Sequence, residues 1–387
     1  MAPKIVYVTG FRQHAGKTVA SIGLISLLRK YMSPEKIGYI KPVGQELIQL
    51  SGGVKVDKDV KIIEKFCGIP DMKLENLSPV QLGSGFTKSY LKNEDKSKIS
   101  NQFAMDIEQS FKSMSNKDII IAEGTGHPGV GGIVGLSNAH VGNLIGADIL
   151  YISGGGIGKA LDMLKVDLSY FLYMKSNVRG ILFNRLIPDK IDTVKEFITE
   201  KLLREMYPDF KNPLSIYGYL PTIEDLPNPS MAVVKKHLKK AEVIGDPKTD
   251  PWHKTCRSIK IISLQEEYLD LEKFLHSGDI VVIAAGSKGR IKKIIEYSDK
   301  LSNPIGGIVV SCINEDRGLK SENLDRINKS KIPTLLLTDN TETVERKLFY
   351  TFENAKIQLY DNKKIIEIED MFNEHFQMDK FLEHFLN

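Results

Sequence analysis

Cysteine is scarce in this chain: 387 residues carry three, Cys67, Cys256 and Cys312, far apart and with no CxxC pair. Such spacing suggests neither a disulfide framework nor a cysteine zinc site, and favours reading the three as small apolar side chains near a core. No apolar stretch reaches the roughly 20 residues needed to span a bilayer. The first strand pattern follows the start of the chain without a charged-then-apolar leader. A reducing, cytoplasmic setting without membrane contact is therefore expected. Neither sign of charge dominates, because 53 Lys and Arg stand against 49 Asp and Glu for a formal +4. Basic residues are not interleaved with aromatic ones either, which argues against a nucleic-acid surface.

What is present is ordinary globular material, 42% hydrophobic and 26% charged, in a chain long enough for two or three domains. Apolar runs alternate with helical patterns: IVYV at 5–8, KIGYI at 36–40, DIIIA at 118–122, ADILYIS at 147–153 and VRGILFN at 178–184. Continuous apolar runs suit parallel strands covered on both faces, so the expected fold is α/β, a doubly wound, mostly parallel sheet with ligands at the C-terminal strand ends. Near residue 240 the texture changes, and GDPKTDPWHK (245–254), with two prolines and no apolar periodicity, reads as a boundary. A domain over 1–240, a linker over 241–257 and a smaller α/β domain over 258–387 are expected. The last contains strand candidates DIVVIA (279–284), IGGIVVS (305–311) and TLLLT (334–338) and the helical RIKKIIEYSDKL. The charged KNEDKSKISNQ (92–102) reads as a solvated loop or helix start.

The strongest motif is GFRQHAGKT, Gly10 to Thr18, between the first apolar run and the helical VASIGLISLLRKY. Strand, glycine-bounded loop ending Gly-Lys-Thr, then helix is the layout of a phosphate-binding P-loop. Gly10 opens the loop. Backbone amides from His14 through Ala15, Gly16, Lys17 and Thr18 to Val19 at the helix start would cup a polyphosphate, with the helix dipole adding to the attraction. Lys17 would reach the terminal phosphates and Thr18 would hold Mg²⁺. Five residues separate the two glycines, one more than in the standard pattern.

Other strand ends add chemistry. Lys41 precedes Pro42, which biases it towards an extended conformation, so it either projects as a fixed cation beside the phosphates or is a surface lysine ahead of a turn. The P-loop favours the first. Glu123 follows four apolar residues and leads a glycine-rich loop, where a carboxylate binds Mg²⁺ directly or through water, in preference to capping a helix. Asp57 and Asp59 stand ahead of a helix and suit capping as well as metal binding. Asn184 ends a strand, where its amide either reads a purine edge or serves as turn chemistry. His127 is read either as an anion contact or as solvated.

Taken together these segments resemble dethiobiotin synthetase and the related cobyric and cobyrinic acid synthases: a P-loop of the longer spacing, then YIKPVGQ, IIIAEGTG and ILFN in that order, then the proline-rich GYLPTIEDLPNPS at 218–230. The resemblance covers about residues 1–240. It implies that Lys17 and Thr18 bind ATP and Mg²⁺, that Glu123 and Asp59 complete the metal site, that Lys41 stabilises the transferring phosphoryl group, and that Asn184 contacts adenine. It further implies phosphorylation of a small carboxylate or carbamate and a homodimer. Arg12 and His14 stand where the synthetases carry acidic residues. Arg12 precedes Lys17 by five residues, the offset at which the related partitioning ATPases carry a lysine that reaches across a dimer, and is thus a candidate catalytic arginine acting in trans.

Residues 258–387 resemble the DRTGG domain, through SGDIVVIAAGSKGR, GGIVVSCI, KIPTLLLTDNTETVERK and IEIEDMFNEHF, although that signature string is absent. The pairing is the layout of the N-terminal regulatory part of long phosphotransacetylases. It implies an alternative in which the chain senses nucleotide and acts on a metabolic enzyme partner.

Overall fold

The computed structural model describes residues 2–50, 52–69, 73–263, 270–286, 289–314 and 321–386. Its strands are β1 (Lys4–Gly10), β2 (Ile37–Ile40), β3 (Val43–Gly44), β4 (Leu47–Gln49), β5 (Lys55–Asp57), β6 (Val80–Gln81), β7 (Ile119–Glu123), β8 (Asp148–Gly154), β9 (Val178–Leu186), β10 (Ser215–Pro221), β11 (Glu242–Ile244), β12 (Ile259–Ile262), β13 (Ile280–Ala284), β14 (Gly307–Ser311) and β15 (Thr334–Leu336). Each apolar run expected as a strand falls on one of these. Among the described residues no helix is long and apolar enough to cross a membrane.

The first compact unit comprises residues 1–223 and 365–387. Its six-stranded sheet runs β10-β9-β8-β1-β7-β2, and every neighbouring pair is parallel. All five β7 residues are buried, which explains why Ile119 to Ala122 are apolar without alternation ahead of Glu123. From β1 the chain reaches β2 and β7 on one side and then β8 on the other, so the loop after β1 lies where the strand order reverses. That loop leads into α1 (Lys17–Leu28). Two small ribbons, β3 with β6 and β4 with β5, lead from β2 towards α2 (Lys58–Cys67).

The second unit, residues 224–364, carries a five-stranded sheet in the order β11-β15-β14-β13-β12. Only β11 runs antiparallel to its neighbour. Val281 and Ile283 enter one apolar cluster while Ile280 and Val282 enter another, so the alternating faces of β13 are covered on both sides.

Three expectations about boundaries change. Residues 241–257 are not a bare connector: they hold β11 and the short helix Asp250–His253, and Trp252 is buried in the core of the second unit. Gly218 to Pro221, expected as part of a proline-rich loop, belongs to β10 at the sheet edge. Residues 365–387 return to the first unit, where Phe376, Phe381 and Phe385 pack around the Tyr217 ring of β10. Aromatic residues at near-helical spacing must bury one face, and β10 and α1 offer the apolar surface. The charged stretch at 92–102 runs into the helix Lys96–Lys112. Of the segment 277–290, residues 287–288 lie outside those described.

Candidate functional site

The loop 10–18 turns on two left-handed residues, His14 at φ 61° and Gly16 at φ 100°. Glycine is required at 16 for a second reason, since a Cβ there would lie 2.1 Å from Asn184 Nδ2. Ala20 N donates to Gly16 O at 2.8 Å, so the amides of Thr18 and Val19 lie ahead of the first intrahelical bond, where α1 presents its positive end. Lys17 is buried and its Nζ donates to Arg12 O at 3.0 Å and Gly126 O at 3.2 Å, folding back along the loop. Arg12 lies at the surface, its guanidinium 5.0 Å from the centroid of the Phe11 ring.

Glu123 lies directly opposite Val8 in the β1–β7 register, which brings its carboxylate beneath α1. Oε1 accepts from Thr18 Oγ1 at 2.9 Å and from Lys41 Nζ at 3.2 Å, while Oε2 accepts from Ser21 Oγ and Tyr39 OH, each at 3.0 Å. Lys41 also pairs with Asp57 at 3.5 Å and with Asp59. Burial alone would lower the pKa of this ammonium, but Asp59, Glu123 and Asp57 together outweigh it and hold Lys41 charged well above its ordinary range. Burial pushes Glu123 and Asp57 upward against the opposing pull of Lys41.

The structure separates the two aspartates that the sequence left equivalent. Asp57 is the N-cap of α2: Oδ1 accepts from Asp59 N at 3.0 Å, and Oδ2 accepts from Gln45 N at 2.9 Å and Glu46 N at 3.1 Å. Asp59 is partly open to solvent. Thr18, Asp59 and Glu123 supply the hard oxygen donors that suit Mg²⁺. Among the described residues no group of three or more His, Cys, Asp or Glu is arranged to enclose a metal.

Asn184 is buried at the end of β9, where Nδ2 donates to Ala15 O at 2.9 Å and Oδ1 accepts from Arg185 N at 2.9 Å. His127 lies exposed in the loop after β7, its Nδ1 accepting from Gly129 N at 3.2 Å. Gly10, His14, Ala15, Gly16, Lys17, Thr18, Val19, Lys41, Asp59, Glu123 and Asn184 thus come from the loop and helix after β1 and from the ends of β2, β5, β7 and β9.

Sequence reasoning missed Ser21, Tyr39 and Asn138. Ser21 follows Thr18 by three positions, one helical turn along the same face, and Tyr39 precedes Lys41 by two in extended chain; both spacings were available signals. Asn138 had none. It is buried and binds Tyr7 OH, Thr125 N, Thr125 O and His127 O at 2.7–3.0 Å, holding the glycine-rich loop whose Gly126 carbonyl receives Lys17.

A family model described as an AAA domain matches residues 4–230. No curated protein sequence matches the chain. Among solved structures, the MinD cell division protein of Aquifex aeolicus is similar at 15% identity over 58% of this chain and 84% of that one, with a TM-score of 0.34. A ParA family ATPase from Chlorobium tepidum TLS is similar at 14% identity over 58% and 86%, with a TM-score of 0.33. The CBS and DRTGG domains of the regulatory region of a Clostridium perfringens pyrophosphatase, complexed with the activator diadenosine tetraphosphate, are similar at 15% identity over 43% and 75%, with a TM-score of 0.26.

Proposed function

The chain belongs to the AAA domain family, and from that premise we propose that its P-loop ATPase-type unit binds ATP with Mg²⁺ and transfers the terminal phosphoryl group to a small carboxylate or carbamate. The observation that supports this most is the meeting of Thr18 Oγ1 and Lys41 Nζ on one oxygen of the buried Glu123. A turn that only joined a strand to a helix would need neither a buried carboxylate nor a buried ammonium beneath it.

In this reading Thr18, Glu123 and Asp59 hold Mg²⁺, which when bound offsets charge on the phosphates. Lys17 swings from the Arg12 and Gly126 carbonyls to the terminal phosphates. Lys41, kept charged by its carboxylates, faces the transferring group. Positioning and charge compensation are what such a transfer asks of a protein. Asn184 turns its remaining donor to the adenine. A homodimer, with the exposed Arg12 reaching the neighbouring site, and a cytoplasmic setting belong to the same reading.

The test is ATP binding and γ-phosphate release with Mg²⁺ by the full chain and by Lys17→Ala. Slow, Mg²⁺-dependent release by the wild type and loss of binding in the variant are expected. Tight ATP binding by Lys17→Ala overturns the assignment.

A second reading is carried by the separate 224–364 unit, which has its own sheet and its own core. In it, a DRTGG-like domain couples nucleotide occupancy to a metabolic enzyme partner. Recovery of such an enzyme on immobilised protein only when ATP is present supports it. Rapid turnover of a small acid by the isolated chain counts against it.

A further inference from the structure

Two consecutive residues at the end of β9 hold two consecutive carbonyls of the phosphate loop. Asn184 Nδ2 donates to Ala15 O at 2.9 Å, and a guanidinium nitrogen of Arg185 donates to His14 O at 3.2 Å. Asn184 Nδ2 also fills the space that a Cβ on Gly16 would need. Arg185 adopts φ 59° and His14 φ 61°, so both partners of the second bond are non-glycine residues in the left-handed region. Such conformations for a bulky side chain cost on the order of 1–3 kcal/mol and concentrate at functional sites. Among the described residues Arg185 has no carboxylate partner.

The consequence follows from peptide geometry. A trans peptide unit is planar, so the C=O of one residue and the N–H of the next point in opposite directions. No peptide bond in the described chain is cis. Drawing the carbonyls of His14 and Ala15 towards β9 therefore turns the N–H groups of Ala15 and Gly16 away from it. A run of inward N–H groups is the anion-binding nest that a P-loop requires.

We propose that Asn184 and Arg185 form a clamp that sets the loop for polyphosphate, with Arg185 as a positioning residue that no part of the P-loop pattern specifies. The inference rests on the reading that this loop binds a nucleoside triphosphate. It adds that Arg185, 171 positions from the His14 carbonyl it holds, tunes affinity for the phosphate end of the ligand rather than for its base.

The test titrates ATP and inorganic tripolyphosphate, each with Mg²⁺, into the full-length wild type, Arg185→Met and Arg185→Gly, at low and high salt. Losing a hydrogen bond from a charged donor should weaken both ligands about tenfold and by the same factor. That factor should hold at both salt concentrations, because the clamp acts on the loop and not as a screened charge on the ligand. Arg185→Gly relieves the left-handed residue, so its ligand-free melting temperature should not fall with its affinity. Unchanged tripolyphosphate affinity in Arg185→Met overturns the clamp. A loss confined to ATP, or one abolished by salt, also overturns it, making Arg185 a base contact or a direct cation. A folded wild type that binds neither ligand overturns the nucleotide reading and the clamp together.

Discussion

Thr18 and Glu123, 105 residues apart in sequence, share a hydrogen bond of 2.9 Å between Oγ1 and Oε1. The contact exists because β1 and β7 are neighbours in register, so the residue that ends β7 comes to rest under the first turn of α1. Among the described residues Glu123 accepts four side-chain donors, from Thr18, Ser21, Tyr39 and Lys41.

Glu123→Gln would place an amide NH₂ among those donors. Lys41 then loses its charged acceptor, and hydroxyls that donated to the carboxylate must turn to accept from the amide, a cost of about 1–3 kcal/mol. The variant should melt at lower temperature, and the strengthening of ATP binding by Mg²⁺ should disappear while binding in EDTA persists. Calorimetric titration with and without Mg²⁺ reads this directly. An unaltered Mg²⁺ dependence would remove Glu123 from the metal site.

Lys41→Met tests the same cluster through pH. Removing the cation leaves Asp57, Asp59 and Glu123 together, and breaking a buried ion pair in this way typically costs about 3–5 kcal/mol. Burial already raises Asp57 and Glu123, and Lys41 opposes that rise, so its loss lifts both further. A carboxyl whose folded pKa exceeds its unfolded one binds its proton more tightly when folded. The stability linked to it is full below the unfolded pKa and is lost as pH rises through the folded one. The deficit of Lys41→Met relative to wild type should therefore be smaller at pH 5 than at pH 8. Urea unfolding at the two pH values measures it, and an equal deficit at both would show that the carboxylates are not the cause.

Asp57 and Asp59 should part company under substitution. Asp57→Ala removes the cap of α2 and a buried acceptor of two further amides, so a stability loss of at least about 1 kcal/mol is expected. Asp59→Asn, at a partly open position, should change stability less and Mg²⁺-dependent nucleotide binding more. The opposite ordering in paired melting and titration experiments would exchange the roles assigned to them.

The parallel strands were legible because IVYV, DIIIA and ADILYIS are apolar without alternation, a pattern that leaves few options besides burial on both faces. The loop was legible because glycine, lysine and threonine at fixed spacing perform one chemistry. Asp57 and Asp59 could not be separated from sequence, since the choice depends on the amides of Gln45 and Glu46 arriving from another segment. Trp252 sits among prolines and charges that read as a connector, yet burial of one indole outweighs that local polarity. The return of residues 365–387 was hidden for a related reason: an amphipathic helix declares that it has an apolar face, not which surface the face will meet.

That returning segment makes a prediction opposite in sign to helix propensity. Gly23 lies in the interior of α1, where replacement by alanine would ordinarily add about 1 kcal/mol of stability. A Cβ at Gly23, however, would lie 2.2 Å from Cγ and Cδ2 of Phe372, whose ring is fully buried. Forcing extra volume into such a contact costs about 1–3 kcal/mol. Gly23→Ala should thus destabilise the wild type, although the same substitution should stabilise a Phe372→Ala background in which the ring is gone. Urea unfolding of the four members of this cycle gives the coupling. If Gly23→Ala stabilises both backgrounds alike, the helix Asn362–His375 that carries Phe372 does not pack on α1, and the placement of residues 365–387 in the first unit fails with it.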